Sequence, residues 1–268
     1  FGDLFETAQA LDADLATGHY SKVLDYKGYR ALARPADRAR DQTYYLFGTS
    51  QEVLSRLLMP LGGLDKPLVR ALAQRAGTPI FSKPDSQEIC FVPEGDHGAV
   101  VEKAGGAMPQ GDLIHIGGKK LRTHDGIHRF TIGQRRGIGV GTGEKLYVVD
   151  IDPKNQNVVV GPQENLQVTK IKAEPLRAAV PLEVWPERID IQIRARHRAQ
   201  KATWSYKGDG VIEFSFENPV EAVALGQAAV AYDGEILLGG AMITERVDGG
   251  YARKAPNRKS IENVMENA

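Results

Sequence analysis

The chain contains one cysteine, Cys90, and its thiol is a candidate nucleophile. The preceding residues 82–88 are polar and typical of a turn, which favours a cysteine carried on a loop. Only the thiolate form is a strong nucleophile, and Lys83 would favour it whereas Asp85 and Glu88 would disfavour it. Because free cysteines are often small buried apolar residues, spacing alone leaves both interpretations open.

Further candidates lie near the start of the chain. His19 follows Gly18 in a loop expected at the carboxyl end of a short strand, 15–16, the edge at which open α/β sheets bind ligands. A histidine in such a loop is also typical of a hydrogen-bonded surface residue. The tripeptide Arg40-Asp41-Gln42 could contact base edges or sugars, or it could begin a solvated helix.

Basic residues cluster in two segments, although the chain carries 34 Lys and Arg against 34 Asp and Glu. A nucleic-acid partner would therefore have to be held by local patches. The first segment contains Lys119, Lys120, Arg122, Arg129, Arg135 and Arg136. The second places Arg194, Arg196 and Arg198 at alternate positions, which on a strand would form a row along one face. Such a row could bind phosphates or protect a solvated strand edge.

The composition excludes several classes of protein. At roughly 150 residues per domain, 268 residues predict about two domains. One cysteine excludes an internal disulfide and a cysteine-based zinc site, and a single thiol fits a reducing compartment such as the cytoplasm. No run of about 18 apolar residues occurs, so the sequence predicts no membrane span.

Apolar periodicity and capping residues predict the elements that position these candidates. The first are a helix with N-cap Asp3 and apolar residues Leu4, Phe5, Ala8 and Leu11, the strand at 15–16, and a hairpin or extended segment within 21–38. Next come a helix capped by Ser50 that runs through Leu58, and a helix capped by Asp65 with Leu68, Val69, Leu72, Ala73 and Ala76 on its apolar face. Together these elements predict an α/β region.

From about residue 98 the pattern changes to two-residue alternation, which predicts short strands separated by turns. The first set of strand candidates is 113–116, 128–132, 146–149 and 158–160, and the second set is 189–194, 211–216, 227–232 and 236–238. Six or so short strands at this spacing predict a small barrel or sandwich. Residues after 247 lack a sustained apolar face, which predicts a mobile tail.

Several distinctive segments follow one another along the chain. They are ATGHY at 16–20, RDQTYYLF at 40–47, KPLVRALAQRAG at 66–77, KPDSQEICF at 83–91, THDGIHRFTIGQRRGIGVG at 123–141, LYVVDID at 146–152 and NPVEAVALGQAAVAYDGEILLGGAMI at 218–243. Taken together, they closely resemble the bacterial tRNA-specific 2-thiouridylase family. The likeness covers roughly residues 1–247 in the same order.

The resemblance implies a fold of three parts and a tail. Residues 1–95 would be the C-terminal part of an adenine-nucleotide alpha-hydrolase-like α/β domain, and residues 96–165 a small β-rich central domain. Residues 166–247 would form a C-terminal β-barrel that binds tRNA, and residues 248–268 a disordered tail.

The resemblance also implies the chemistry. Members of the family make 2-thiouridine at the wobble position of tRNA: ATP, used with Mg²⁺, adenylates the C2 oxygen of the uracil, and a cysteine persulfide delivers sulfur to that carbon. Cys90 matches the cysteine that carries the persulfide. The implied partners are tRNA and a persulfide donor, either a relay protein or a cysteine desulfurase. No protein-bound metal and no membrane are implied.

Individual binding residues follow from the same resemblance. Gly18 matches a position that binds ATP, and the tRNA-contacting positions match His19, Arg40, Asp41, Gln42, Arg194, Ala195 and Gln227. Arg40 stands where the family usually has lysine, so the positive charge is kept but is carried by a planar guanidinium group instead of an ammonium group. Ala195 stands where the family has tyrosine, and the aromatic platform is therefore missing at that position.

Two family motifs are absent from the sequence, a pyrophosphate-binding SGGVDS loop and a second cysteine that resolves the persulfide. We therefore expect the carboxyl-terminal two-thirds of a thiouridylase that, alone, binds tRNA weakly and thiolates nothing. A non-catalytic tRNA-binding module that exists in this short form is the alternative. A thiol-redox protein is a third hypothesis, which the single cysteine disfavours.

Overall fold

A computed structural model describes residues 1–79, 81, 102, 105, 109–141, 143–249 and 251. Cys90 and residues 252–268 of the predicted tail lie outside the described residues.

The chain begins with helix α1 (Gly2–Ala10) and strand β1 (Leu15–Ala16), both at the positions that the sequence predicts. Phe5 and Ala8 are buried, whereas Leu4 and Leu11 are exposed, so the buried face is narrower than predicted. Asp3 as the N-cap is wrong, because the helix begins upstream of it. Its carboxylate instead lies in the first helical turn, near the positive end of the helix dipole.

The predicted hairpin is confirmed as strands β2 (Lys22–Tyr26) and β3 (Tyr29–Ala33). Its two-residue turn, Lys27-Gly28, has positive φ at both positions, 49° and 86°. A two-residue turn of this kind matches the right-handed twist of the flanking strands. The hairpin is therefore a twisted two-stranded ribbon.

Helix α2 (Gln51–Arg56), strand β4 (Leu57–Leu58) and helix α3 (Lys66–Arg75) complete the described α/β region. Both predicted caps are confirmed, since the Ser50 hydroxyl accepts from the Val53 amide and the Asp65 carboxylate accepts from the Leu68 amide. The predicted extension of α2 through Leu58 is wrong. Residues 57 and 58 pair in parallel with β1 instead, and this long-range pairing ends the helix.

The predicted apolar face of α3 is only half covered by the described residues, with Leu68 46% and Leu72 45% exposed.

The turn before α3 is closely packed. A Cβ atom on Gly62 would lie 2.0 Å from the Ser21 carbonyl oxygen, so only glycine fits there. The backbone of Gly62 therefore packs directly against the loop that follows β1.

The central part is a four-stranded sheet of β5 (Gly111–His115), β6 (Lys120–His124), β7 (Tyr147–Asp152) and β8 (Asn157–Gly161) in the order β6-β5-β8-β7. Three of the four strand candidates in this part are confirmed. The strand at 128–132 is wrong, because Ile127–Arg129 form a 3₁₀ turn. Phe130 is nevertheless buried in the apolar core of this sheet, with Leu113 and Val148.

The C-terminal part is a closed barrel of six strands in the order β14-β11-β12-β13-β9-β15, with β15 pairing back to β14. Its strands are β9 (Gln167–Ala173), β11 (Arg188–Gln192), β12 (Gln200–Gly208), β13 (Val211–Glu221), β14 (Ala228–Asp233) and β15 (Ile236–Asp248), and the short β10 (Arg177–Ala178) pairs with β15. The predicted barrel is confirmed. Closure removes the sheet edges that would otherwise need protection.

Hairpin β2–β3 joins the barrel. Ala33 of β3 pairs with Ile236 of β15, and the Arg34 amide donates to the Glu235 carbonyl oxygen at 2.9 Å. The α/β region is thus attached to the barrel through backbone hydrogen bonds, and the loops at its end face the barrel.

A buried ion pair joins the barrel to the central sheet. The Arg246 guanidinium in β15 lies 2.5 Å from the Asp150 carboxylate in β7, and it also donates to the Val149 carbonyl oxygen at 2.8 Å. The two side chains are 3% and 5% exposed. Removal of one partner from a buried pair leaves the other charge without compensation, which is costly.

We expect Asp150→Asn to lower the free energy of unfolding by about 3 kcal/mol or more, because the Arg246 charge stays buried. Urea denaturation followed by circular dichroism measures the change. Glu217→Gln is the matched control: it removes the partner of Arg188, which is 69% exposed on the barrel surface, and should cost about 1 kcal/mol or less. Equal losses in the two variants would contradict a stabilising role for the buried pair.

Candidate functional site

A cleft of about 990 Å³ lies between the α/β region and the barrel. One wall consists of residues from the segments 18–20, 34–45 and 66, and the other of residues from 190–199 with Gly234. We call this space the basic cleft. Five of the residues proposed from the resemblance lie in its walls, namely Gly18, Arg40, Asp41, Gln42 and Ala195.

Positive charge dominates the basic cleft. Its walls contain Arg34, Arg38, Arg40, Lys66, Arg196 and Arg198, together with His197, which carries charge only when protonated. The two acids in the walls are each paired with a cation, Asp41 with Arg34 and Asp190 with Lys201. Arg34 is neutralised by the same pairing and Arg38 pairs with Glu235, so the charge that attracts anions comes from Arg40, Lys66, Arg196 and Arg198.

The predicted row of arginines on a strand is wrong. Strand β11 ends at Gln192, and residues 193–199 form a turn. Arg194 points inward and donates to the carbonyl oxygens of Ile132 at 3.1 Å and Ala222 at 2.7 Å. Burial lowers the pKa of its guanidinium. Arg196 and Arg198 are exposed in this turn, and we call its residues 194–199 the arginine loop.

The tripeptide Arg40-Asp41-Gln42 lies opposite the arginine loop. Both carboxylate oxygens of Asp41 are used by the fold: one accepts from the amide and hydroxyl of Thr43, at 2.9 and 2.6 Å, and the other from Arg34. Gln42 pairs with Tyr20, whose amide donates to the Gln42 side-chain oxygen at 2.7 Å. Asp41 and Gln42 therefore shape this wall, and Arg40 contributes its charge.

The loop after β1 holds Gly18 at the edge of the basic cleft. A Cβ atom on Gly18 would meet nothing closer than Leu61 at 3.7 Å, so the fold itself does not require glycine there. His19 accepts or donates one hydrogen bond with Thr17 at 2.7 Å, and its ring packs edge-on against Phe1. His19 thus has the contacts of a hydrogen-bonded surface residue.

Tyr20 is a cleft residue that the sequence analysis missed. It is 7% exposed, and its hydroxyl has no hydrogen-bond partner among the described residues. The Lys66 ammonium lies 5.9 Å from the centre of its ring. A buried hydroxyl without a partner is costly, which marks Tyr20 as an unusual position in this wall.

Gln227 lies away from the cleft wall, exposed in the turn before β14. The carbonyl oxygen of the next residue, Ala228, accepts from the Tyr44 hydroxyl at 3.0 Å. Burial raises the pKa of Tyr44 to about 12, so this phenol stays protonated and keeps its bond. Any contact between tRNA and Gln227 would extend beyond the basic cleft.

The basic segment at 119–136 has fewer cations available to a polyanion than its composition indicates. Arg122 donates to the Ile138 carbonyl oxygen, Lys120 pairs with Asp112, and Arg129 pairs with Glu102. Lys119, Arg135 and Arg136 are exposed on the surface. Three of the six cations are thus engaged within the central part.

The described part of the chain contains no group of three or more His, Cys, Asp and Glu side chains placed to hold a metal ion. In the same part, no helix has the length and apolar character needed to cross a membrane. Cys90, the candidate nucleophile, lies outside the described residues.

Comparison with family models divides the chain into three matches. Residues 1–94 match a model described as the tRNA methyl transferase HUP domain, and residues 99–162 match the tRNA methyl transferase PRC-barrel domain. Residues 168–243 match a model described as an aminomethyltransferase beta-barrel domain. The protein is therefore of the class in which a HUP domain precedes two barrel-type domains, and the predicted fold class is confirmed.

Similar curated proteins specify the family. The chain is 43% identical over 254 residues to a protein of Koribacter versatilis (strain Ellin345), covering 91% of this chain and 68% of that protein. It is 44% identical over 278 residues to a protein of Bartonella bacilliformis, covering 100% of this chain and 70% of the relative. Both relatives carry the name tRNA-specific 2-thiouridylase MnmA. The chain belongs to the tRNA-specific 2-thiouridylase family, as the resemblance indicates.

The charge of the cleft at acidic pH depends on His197. Burial, and to a smaller extent the nearby Arg194 charge, lower the pKa of His197 below its ordinary 6.5. We expect an imidazole that is neutral at pH 7 and becomes charged only as the pH falls below 6.5. Replacing Arg194 with methionine should raise this pKa without restoring 6.5, because burial remains.

Nuclear magnetic resonance titration of the imidazole signals measures the effect, with His197→Gln assigning the resonance. A pKa for His197 at or above 6.5, or no change in the Arg194→Met variant, would contradict this electrostatic account.

Proposed function

We propose that this chain binds tRNA in the basic cleft and contributes to ATP-dependent 2-thiolation of the wobble uridine, with Cys90 carrying the sulfur. The observation that carries the proposal is the cleft, in which cations from two distant parts of the chain face one another. The relatives named tRNA-specific 2-thiouridylase support the choice of RNA over other polyanions.

The arrangement of charge suits an RNA backbone. Arg40 and Lys66 lie in one wall, and Arg196 and Arg198 lie in the other. The phosphates of an RNA strand between the walls could therefore be contacted from both sides. Each phosphate neutralised by lysine or arginine releases counterions, which gives affinity and a strong dependence on salt. Ala195 offers no ring for stacking, and we assign the affinity of this wall to charge.

Gly18 is the proposed contact for ATP. It lies in the loop after β1, a strand of a parallel pair, and loops at the carboxyl ends of such strands are the usual ligand sites of α/β sheets. Gly18 is exposed, and its missing side chain permits close approach of a ligand to the backbone. ATP, used with Mg²⁺, would supply an adenylate that turns the C2 oxygen of uridine into a leaving group.

Cys90 is the proposed sulfur carrier. The outer sulfur of a Cys90 persulfide would form a bond to C2, and the C2–O bond would break as AMP leaves with the oxygen. The remaining sulfur–sulfur bond would then be broken by a second thiol, giving a disulfide. Since this chain has one cysteine, that thiol comes from outside its 268 residues. The persulfide donor is a relay protein or a cysteine desulfurase, and a reducing compartment such as the cytoplasm suits this chemistry.

Replacing Arg196 and Arg198 with glutamine should weaken tRNA binding and lower the slope of log K against log salt by about one unit per lost phosphate contact. Fluorescence anisotropy with labelled tRNA over a range of salt concentrations measures both. Arg188→Gln is the matched control, because it removes an exposed arginine of the barrel that lies outside the cleft. A salt slope that is the same in all three proteins would overturn the proposed RNA site.

Incubation with a cysteine desulfurase and cysteine should add the mass of one sulfur atom to the chain, and a reducing agent should remove it. Intact mass spectrometry measures the adduct, and Cys90→Ser is expected to abolish it. In cells whose tRNA thiolation depends on this protein, the same substitution should eliminate 2-thiouridine. A chain that binds tRNA but gains no sulfur at Cys90 would favour the alternative, a non-catalytic tRNA-binding module.

A further inference from the structure

Arg34 lies at the centre of a network that crosses the basic cleft at its base. One guanidinium nitrogen donates to the Asp41 carboxylate at 2.5 Å, and the other donates to the Gln192 side-chain oxygen at 2.9 Å. The guanidinium carbon lies 3.9 Å from the centre of the Tyr232 ring. Arg34 is thus held by hydrogen bonds at both ends and by a cation–π contact on its face.

Gln192 extends the network to the arginine loop. Its side-chain nitrogen donates to the carbonyl oxygens of Arg194 at 3.0 Å and Ala195 at 2.8 Å. Gln192 is 4% exposed and is the last residue of β11, so its own position is set by the barrel. The first two carbonyl groups of the loop are therefore attached to the barrel through one amide.

The other end of the network reaches the opposite wall. Asp41 accepts from Arg34 and from Thr43, and the Thr43 hydroxyl lies 3.1 Å from the hydroxyl of Tyr232. A continuous series of hydrogen bonds therefore runs from the tripeptide 40–42 to the arginine loop. It joins residues that are 158 positions apart in the sequence, Arg34 and Gln192.

We propose that Arg34 and Gln192 are positioning residues, which set the distance between the tripeptide 40–42 and the arginine loop and so the spacing of the cations that bind RNA. This inference rests on the proposed tRNA-binding function. Neither residue needs to touch RNA. Gln192 acts through Arg196 and Arg198, whose loop it holds, and Arg34 acts through Gln192 and Asp41.

The two side chains have properties that few substitutes share. The amide of Gln192 accepts from Arg34 with its oxygen and donates to two carbonyl groups with its nitrogen. Glutamate at this position would keep the acceptor and lose both donated bonds, whereas methionine would lose all three. The planar fork of Arg34 serves two acceptors at once, which a lysine ammonium does not reproduce.

Trypsin provides a direct test of loop position without RNA, because Arg196 and Arg198 are themselves cleavage sites. We expect Gln192→Glu and Gln192→Met both to accelerate cleavage after these residues about tenfold, since each variant loses both hydrogen bonds that hold the loop. Asp41→Asn, which weakens the pairing with Arg34 at the other end, should give a smaller increase. Glu217→Gln, on the barrel surface, should cleave at the rate of the unchanged protein.

A second experiment measures the affinity for tRNA. Gln192→Met should weaken tRNA affinity about tenfold in the otherwise unchanged chain but less than twofold when Arg196 and Arg198 are already glutamine, because a positioning residue has no effect once the residues it positions are gone. Equal losses in both backgrounds would show a general structural effect and would overturn the proposal.

The outcomes separate this inference from the proposed function. If the unchanged chain does not bind tRNA, the proposed function fails, and the trypsin experiment still decides whether Gln192 holds the loop. If tRNA binds but the Gln192 variants are cleaved at the original rate, the positioning role is overturned. Should Gln192→Met fail to fold, Arg34→Lys, which keeps the charge and loses the two-acceptor fork, takes its place in the same double-substitution experiment, with equal losses in both backgrounds again overturning the proposal.

Discussion

The basic cleft exists because a hairpin from the α/β region pairs with a strand of the closed barrel. The pairing of Ala33 with Ile236 aligns β3 with β15, and the next residue, Arg34, continues the contact through its backbone amide. Apolar packing supports these few hydrogen bonds, since Leu32, Tyr232 and Leu237 are fully buried in one shared cluster. Burial of each such side chain contributes on the order of 1.5–3 kcal/mol. Without this attachment, the two walls of the cleft would belong to separate bodies.

Arginines cross-link the three parts of the chain at several polar contacts. Arg34 connects the α/β region with the barrel, while Arg194 and Arg246 connect the barrel with the central part. A guanidinium group carries five donors in a fixed plane, so one side chain can satisfy carbonyl or carboxylate groups from two elements. The cost is that a guanidinium used in this way is withdrawn from the surface. The formal count of positive residues therefore overstates the charge that a polyanion meets.

Features encoded by neighbouring residues could be predicted from the sequence, and features decided by distant contacts could not. The helix caps at Ser50 and Asp65 depend on a side chain and an amide three residues away, and both predictions are confirmed. The end of α2 depends on pairing between β4 and β1, about forty residues apart, and was predicted wrongly. The spacing of Arg194 predicts a position in a row of surface arginines. Its guanidinium instead points inward, because it donates to carbonyl groups from two segments distant in sequence. The role of Cys90 remains a prediction.

The attachment of the hairpin also bears on how such a protein can change over evolutionary time. The family models match 1–94, 99–162 and 168–243 as successive stretches of sequence, yet the sheet and the apolar cluster run across the first and last of them. A barrel exchanged alone with that of another protein would expose Tyr232 and Leu237, and β3 would lose its pairing with β15. Recombination that preserves the fold would have to move the hairpin and the barrel together, so the unit of inheritance here is a pair of segments that are distant in sequence.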